Sequence, residues 1–296
     1  MDNFPRVSLA LPLYKSRRFV DILIENLDSL DWPNLEILIS DRHGADDALD
    51  CLQARYGHDA RFRFFRAWDE LDWVAHYNFL LRAATGTYFL WMPHDDSYAS
   101  NYVSELVTLL ETNPDAILAF SRADWLFQDG NILRLPRTTP FSNDAPWAWT
   151  SPLQLFLGHH LWLTVRGIFR RAFVIEHDLF MPATRENNAA DLVWAFAMAC
   201  SGRFVWTRET FCRKRFYPQS THAQFKQRTW RHTRVEYAAL RAHFQKRAGI
   251  SARLRGEWMA LLWLLLRFAG NLRDAVKLHK TIDARVRRFL LEMNLW

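Results

Sequence analysis

Asp95 and Asp96 follow His94 directly, at the end of the apolar run Tyr88-Phe89-Leu90-Trp91-Met92. Two carboxylates at the end of a buried strand are costly unless something cationic meets them. Hard oxygen ligands in that place suit Mg²⁺ or Mn²⁺, which then bridge to the oxygens of a diphosphate. The same spacing also fits Asp96 as a cap for a helix starting near Tyr102. Asp41 stands just after the run Leu35 to Ser40. There a carboxylate accepts hydrogen bonds from a ribose or a base edge, or caps the next element. Asp46 and Asp47 read as a cap and a dipole-favoured charge at a helix start. Arg213-Lys214-Arg215 offers groups that pair strongly with phosphate oxygens, although a solvated charge run is the commoner outcome for such a cluster. His159-His160 has no third ligand at metal spacing.

The elements that must hold these residues alternate through the first 125 positions. Val7 to Leu13, Leu35 to Ser40, Phe62 to Phe65 and Tyr88 to Met92 read as strands. Arg18 to Leu30 reads as a helix with Ile22, Leu23, Leu27 and Leu30 on one face; Asp46 to Tyr56, Asp72 to Ala84 and Tyr102 to Leu110 are further helices. Such alternation implies a parallel sheet covered on both faces, with ligands beyond the C-terminal strand ends near the switch in strand order. The loops after Leu13, Ser40, Phe65 and Met92 are therefore the ones to inspect.

Beyond Ala116 the pattern loosens. Ala116 to Phe120 and Asp124 to Phe127 read as two strands, followed by the turn signal Asp129-Gly130. Residues 135 to 150 read as a long loop, Leu163 to Phe169 as a strand and Ala189 to Cys200 as a helix. Phe204 to Trp206 and Thr210 to Tyr217 read as the strands that close the domain. After Ser220 the chain turns helical and basic, with Ile282, Val286, Phe289, Leu290 and Met293 on one face.

A chain of 296 residues has room for one α/β domain and an appendage. The 14 Trp and 22 Phe suit stacking on sugars or bases, but core packing is the commoner fate of any one ring. Cys51, Cys200 and Cys212 match no metal spacing, and the start Met1-Asp2-Asn3 has no signal-peptide character, which points to a reducing, cytoplasmic compartment. The longest uncharged apolar run, Trp258 to Leu266, is too short to span a bilayer. The net charge of +6 hides a division: residues 1 to 212 hold 19 Lys/Arg against 27 Asp/Glu, and residues 213 to 296 hold 19 against 5. The basic third calls for an anionic partner such as membrane headgroups, phosphorylated lipid carriers or the acidic first part itself; nucleic acid is not expected, because no recognition motif accompanies the charge.

Taken in order, these segments resemble the family 2 glycosyltransferases with the GT-A fold. Val7-Ser8-Leu9-Ala10-Leu11-Pro12-Leu13-Tyr14-Lys15 is similar to the family's opening strand and Pro-x-Tyr-Asn signature. Ile39 to Asp47 resembles its Val-Asp-Asp-Gly-Ser-Thr-Asp segment, with Asp41 on the nucleotide-contacting aspartate. Asn78, followed by Ala84-Thr85-Gly86-Thr87-Tyr88, resembles the lead into the metal strand, and His94-Asp95-Asp96 falls on the Asp-x-Asp motif in a His-Asp-Asp form. Gly167-Ile168-Phe169-Arg170-Arg171 resembles the Gly-x-Phe-Arg-Arg segment, and Ala190-Asp191-Leu192-Val193-Trp194 the place of the catalytic base. Pro93 stands where the first aspartate of Asp-x-Asp usually sits, Lys15 replaces the usual Asn, and Tyr77 replaces an Arg often found before Asn78.

The resemblance covers roughly residues 5 to 220. It implies a Rossmann-like, mostly parallel α/β sheet with helices on both faces over residues 1–220, with 221–296 a basic amphipathic helical extension. It further implies an inverting transferase that moves a sugar from a nucleotide-diphosphate donor to a glycan or lipid-linked acceptor in bacterial surface polysaccharide synthesis. Asp191 would be the catalytic base, with Glu186 second choice; Pro12, Tyr14, Asp41, Asn78, Asp95 and Arg215 would bind donor; Asp95, supported by Asp96, would hold Mg²⁺ or Mn²⁺. An Asp at a helix N-terminus is also a common favourable charge, and that reading of Asp191 stays open. So does the role of residues 221–296, either a lid packed on the catalytic domain or a peripheral contact with the inner face of a membrane. A sugar nucleotidyltransferase would need a Gly-rich phosphate loop after the first strand, and Leu13-Tyr14-Lys15-Ser16 has none. A catalytically silent nucleotide-sugar-binding module of the same fold, or a lipid- or nucleic-acid-binding role for the basic end, remains the alternative.

Overall fold

The computed structural model describes residues 4–42, 44, 46–67, 71–134, 152, 155, 161–217, 230–246 and 250–275. Strand β1 (Val7–Leu13) is buried along its whole length, as expected of a strand with both faces covered. It pairs in parallel with β2 (Leu35–Arg42) on one side and β4 (Tyr88–Trp91) on the other, and β3 (Phe62–Ala67) extends the sheet beyond β2. The helices α1 (Val20–Ser29), α2 (Ala48–Tyr56) and α3 (Trp73–Ala83) connect them, with a 3-10 turn at Arg17–Phe19 before α1. Asp72 caps α3 by accepting from the Ala75 amide at 2.8 Å. Within the order β3-β2-β1-β4 the direction of winding reverses between β1 and β4. That reversal opens the crevice in which sheets of this type bind ligands.

After β5 (Ser97–Tyr98) and α4 (Tyr102–Glu111) the sheet becomes mixed. Strand β8 (Ile168–Arg170) joins β4 antiparallel, β6 (Ala116–Phe127) joins β8, and β9 (Arg203–Phe216) runs parallel to β6 and carries β5 at the far edge. β6 continues into a hairpin with β7 (Ile132–Arg134) around Gly130, whose φ of +83° suits glycine. Helices α5 (Leu161–Thr164) and α6 (Arg171–Glu176) flank β8, and α7 (Ala190–Ala199) precedes β9.

Four segments differ from the sequence reading. The two strands expected at Ala116–Phe120 and Asp124–Phe127 are one, and those expected at Phe204–Trp206 and Thr210–Tyr217 are one. A register shift between Ser121 and Arg122 absorbs extra residues of β9 as a bulge, so the polar interruption kinks the pair instead of ending it. The strand expected at Leu163–Phe169 is a helical turn, a tight bend and a short strand. At Gly167 a Cβ would lie 2.5 Å from the Ala119 carbonyl oxygen, so the bend depends on the missing side chain. Helix α1 buries Val20, Leu23, Asn26 and Leu27, replacing part of the expected aliphatic face with an asparagine.

Many of the aromatic residues are core. Trp91 of β4 meets Trp194 of α7 at 4.9 Å between ring centroids, and both meet Phe169 of β8 at 5.2 and 5.4 Å. This cluster fixes the strand that leads to Asp95 against the helix that carries Asp191. Helices α8 (Trp230–Gln245) and α9 (Ile250–Ala275) add Leu240, Phe244, Met259, Ala260 and Trp263 to the same core. The face expected at Ile282 to Met293 and the loop expected at 135 to 150 lie outside the described residues.

Candidate active site

Asp95 and Asp96 leave β4 side by side and enter different environments. The Asp95 side chain is half-buried; its Oδ2 accepts from the Tyr217 hydroxyl at 3.0 Å, and its carbonyl oxygen accepts from Arg215 Nε at 3.3 Å. Its Oδ1 has no protein partner among the described residues. Asp96 is fully buried. Its Oδ2 accepts from Arg166 Nε at 2.6 Å, its Oδ1 from the Arg215 amide at 3.2 Å, and its carbonyl oxygen from Asn26 Nδ2 at 2.9 Å. Burial pushes the Asp96 carboxyl up and the Arg166 guanidinium pulls it back, while arginine keeps its proton throughout. Asp96, for which the sequence suggests a supporting metal role, thus has both carboxylate oxygens engaged within the protein, and these contacts tie the loop after β4 to β9 and α1.

His94 stitches the loops after β1 and β4. Its Nδ1 lies 3.0 Å from Ser16 Oγ and 3.4 Å from the Pro12 carbonyl oxygen, and its ring stacks on Phe19 at 5.2 Å. Ser16 Oγ also accepts from the Tyr14 amide at 2.9 Å, across Lys15, which holds a left-handed φ of 53°. A non-glycine residue in that region signals a loop held by its surroundings.

At the C-terminal ends of β1 and β2 the register pairs Pro12 with Ser40 and Leu13 with Asp41. Tyr14 follows, 39% exposed, with the Arg42 guanidinium 4.2 Å from its ring centroid. Asp41 is only 1% exposed, and neither carboxylate oxygen receives a well-formed hydrogen bond among the described residues. Burial raises its pKa first and the Asp46 charge adds to this; Arg66 and the nearby Arg42 and Gly44 amides offset part of it. A buried carboxylate left in that state is an acceptor awaiting a donor. Asp46 itself caps, accepting from the amides of Ala48 at 3.1 Å and Arg17 at 2.8 Å.

Cations surround Asp95. Arg215 lies against its main chain, and Arg18 sits 4.4 Å from the ring of Tyr217. Lys214 is held down to about 8 by burial first and by the Arg166 charge second, against the opposing pull of Asp96, Asp191 and Asp95. Its Nζ lies 5.2 Å from the Phe216 ring and 5.5 Å from the Trp162 ring. Arg166, Tyr217 and Trp162 were not singled out from the sequence. Period-two alternation from Arg215 along β9 was the signal for Tyr217; nothing in sequence marked Arg166, which lies between a helical turn and a short strand.

Asp191 lies in the first turn of α7, half-buried, with Oδ1 accepting from the Leu192 amide at 2.9 Å. Asp191 and Asp95 both act on Tyr77 and on Lys214, so the two carboxylates border one region. The segment ahead of α7 holds left-handed φ values at Glu186, Asn187 and Ala189, braced by a reciprocal cap between Thr184 and Asn187. The Glu186 side chain is 60% exposed, with its Oε1 3.8 Å from Arg185 Nε. Asn78, for which the sequence suggests a donor contact, is buried and bonded to main chain. Its Nδ2 donates to the Met181 carbonyl at 2.9 Å, and its Oδ1 accepts from the Met181 amide at 3.0 Å, so it ties α3 to the segment before Asp191. A cavity of about 360 Å³ borders Asn78, Met181, Val193 and Lys246, and none of Asp41, Asp95 and Asp191 lines it. His159 and His160 lie outside the described residues.

The fit to Mg²⁺ or Mn²⁺ rests on Asp95. Among the described residues no three His, Cys, Asp or Glu side chains converge as a ligand set. Mg²⁺ is commonly held by one or two carboxylates plus substrate phosphates, and Asp95 fits that mode.

Known proteins agree with this architecture. Over 93% of the chain the fold matches Staphylococcus aureus TarS, residues 1–349, solved in complex with UDP-GlcNAc, with a TM-score of 0.67, 13% identity and 76% of that chain covered. The mannosyltransferase PcManGT from Pyrobaculum calidifontis, solved with GDP-Man and Mn²⁺, matches over the whole chain and 82% of its own, with a TM-score of 0.54 and 15% identity. In sequence, the uncharacterized glycosyltransferase YibD of Escherichia coli is 23% identical over 198 residues, 66% of this chain and 56% of its own. An uncharacterized glycosyltransferase of Haemophilus influenzae is 27% identical over 113 residues, 38% of this chain and 35% of its own. The chain thus matches between about a third and somewhat over half the length of these curated relatives. The family model for glycosyl transferase family 2 matches residues 8–173, from the first strand through the Asp95 loop and β8 into α6, and on that match the chain belongs to the family 2 glycosyltransferases with a GT-A fold.

Proposed function

We propose that this enzyme transfers a sugar, with inversion, from a nucleotide-diphosphate donor to a glycan or lipid-linked acceptor in the assembly of a bacterial surface polysaccharide or glycolipid. The observation that carries the reading is Asp41, buried at the strand end beside the switch in strand order, with neither oxygen in a well-formed hydrogen bond among the described residues. A nucleobase N–H or ribose hydroxyl supplies the missing donor. Tyr14 and Pro12 line the same edge, and Lys214, Arg215 and Arg18 supply positive charge for the diphosphate. The structural neighbours carry UDP-GlcNAc and GDP-Man, which makes both nucleotides candidates.

In the chemical step the acceptor hydroxyl attacks the anomeric carbon, the bond from that carbon to the diphosphate oxygen breaks, and the hydroxyl proton passes to the Asp191 carboxylate. Mg²⁺ or Mn²⁺ bound by Asp95 would offset the charge on the departing nucleoside diphosphate. Arg215 and Tyr217 orient Asp95 for that task, and Asp96 keeps the loop in place. The catalytic part is assigned to residues 1–220, with 221–296 holding the enzyme at the inner face of a membrane.

The test is a panel of nucleotide sugars scored for a rise in melting temperature with and without Mg²⁺ or Mn²⁺, because a ligand that binds only the folded state stabilises it. One donor should stabilise the wild type and be turned over. Undiminished turnover in Asp95→Ala and Asp191→Asn would sink the residue assignment. Pro93 and the occupied Asp96 leave a single candidate metal carboxylate, which favours one competing reading, a binding module without chemistry. Donor binding with no transfer under any metal condition would establish it.

A further inference from the structure

We propose that α9 docks this protein on an anionic membrane surface through Leu254, Trp258, Leu261 and Leu265. These side chains are 58%, 64%, 36% and 57% exposed, and their spacing of four, three and four residues sets them in one stripe along the helix. The opposite face is already occupied. Met259, Ala260 and Trp263 are buried, Trp263 lies 5.0 Å from Phe196 of α7, and its Nε1 donates to Glu236 at 3.1 Å. Gly256 lets α8 cross closely, since a Cβ there would lie 2.2 Å from that of Phe244. The helix is thus fixed on the enzyme with an apolar stripe turned to solvent, an arrangement soluble surfaces avoid unless something covers it.

Charge identifies the cover. Beyond β9, residues 221–296 hold 16 Lys/Arg against 5 Asp/Glu, so a negatively charged surface is the complementary partner. Two copies meeting along the stripe would instead bring like charge together, because residues 250–296 carry nine Lys/Arg against four Asp/Glu. Among the described residues no helix is long and apolar enough to cross a membrane, so α9 would lie on it. Trp258, the most exposed of the four, suits the headgroup level, where aromatic rings concentrate. Through Trp263 and Phe196 the docked helix is joined to α7, whose first turn carries Asp191. The bilayer would therefore hold the acceptor side of the site at the lipid surface. The docking gives a surface to the membrane contact proposed above for residues 221–296, and the lipid-linked acceptor rests on the proposed transfer reaction.

The experiment is cosedimentation of the full chain with phosphatidylcholine vesicles with and without phosphatidylglycerol, at low and high salt, beside the chain's mass in solution. The expected result is binding that needs phosphatidylglycerol and weakens with salt. The triple variant Leu254→Ser, Trp258→Ser, Leu265→Ser should lose at least about tenfold in vesicle affinity at unchanged solution mass. Trp258→Ser alone should show a smaller loss, which keeps the test decisive if the triple variant folds poorly. Vesicle binding by both variants equal to the wild type, or none by the wild type, overturns the proposal. A fall in solution mass of the variants also overturns it, in favour of a second copy on the stripe. Nucleotide-sugar stabilisation, measured on the same samples, reports on the proposed function separately.

Discussion

Asp95 and Asp96 carry the same functional group one residue apart, and their surroundings divide the work. Among the described residues Asp95 keeps an oxygen without a protein partner beside Arg215 and Tyr217, whereas Asp96 is sealed against Arg166. Asp95→Ala should therefore cost at least about 100-fold in kcat with little change in melting temperature, a loss typical of a lost electrostatic contact to the departing group. Asp96→Ala should instead destabilise the fold by about 3–5 kcal/mol, because it strands a buried guanidinium; chemical denaturation measures it. Lys214 adds a pH dependence. Its ammonium loses its proton near pH 8, so affinity for the nucleoside diphosphate should fall as pH rises through about 8, and Lys214→Met should flatten that limb in a titration of binding against pH. The positions of Asp41, Asp95 and Asp191 follow from the strand and helix ends that the alternation of apolar runs marks out. The split between Asp95 and Asp96 does not, because it depends on Arg166 and Tyr217, 70 and 122 residues away in the chain.

At the scale of elements, one carboxylate pins the entry to the strand that carries this loop. Glu36 of β2 is buried and accepts from Ser8 Oγ, from the Thr85 amide at 2.8 Å, from Thr85 Oγ1 at 3.0 Å and from Arg63 at 2.7 Å. Burial works to raise its pKa, but the hydrogen bonds from Ser8, Thr85 and Arg63 together outweigh it and hold the carboxyl below its ordinary value of 4.5. A folded-state pKa below the unfolded one contributes stability that is present above about 4.5 and is lost as pH falls through the folded value. Glu36→Gln should accordingly lower stability at pH 7 and converge on the wild type below pH 4.5, as unfolding free energies measured across that range would show. Next to it, the Gly86 amide donates to Ser8 Oγ, and a Cβ at Gly86 would lie 2.6 Å from that oxygen and 2.8 Å from the Ser8 nitrogen. Gly86→Ala should cost about 1–3 kcal/mol through this overlap, measured by denaturation. In sequence the parallel strands β1 to β4 were readable because their apolar runs are short and bounded. The β6–β9 pair was not, because its bulge interrupts the pattern without ending the strand. Gly167 was visible as a glycine, but its reason, the approach of β6, lies 48 residues earlier in the chain.

For the whole molecule, the basic C-terminal third reads in sequence as an appendage, and its charge alone leaves open whether it packs on the enzyme or reaches away from it. The structure shows that part of it packs. Trp263 of α9 is fully buried against Phe196 of α7, and Leu240, Phe244, Met259 and Ala260 enter the same core as Trp91 and Trp194. That core joins the strand leading to Asp95 with the helix bearing Asp191, so α8 and α9 help set the distance between those two carboxylates. Removing them would expose Phe196, and hydrophobic contact at that site would be replaced by water. Trp263→Ala should therefore destabilise the full chain by about 3–5 kcal/mol, the usual cost of deleting a large buried aromatic side chain. Its kinetic signature should be a lower kcat at nearly unchanged donor affinity, because Tyr14 and Asp41, the residues proposed to bind donor, lie at the ends of β1 and β2, away from α7. A chain ending at residue 220 should melt well below the full chain or fail to stay soluble. If instead that shorter chain melted with the full chain and turned over donor at the same rate, α8 and α9 would be a passenger on an independent domain, and the mechanical link from α9 to Asp191 would be lost.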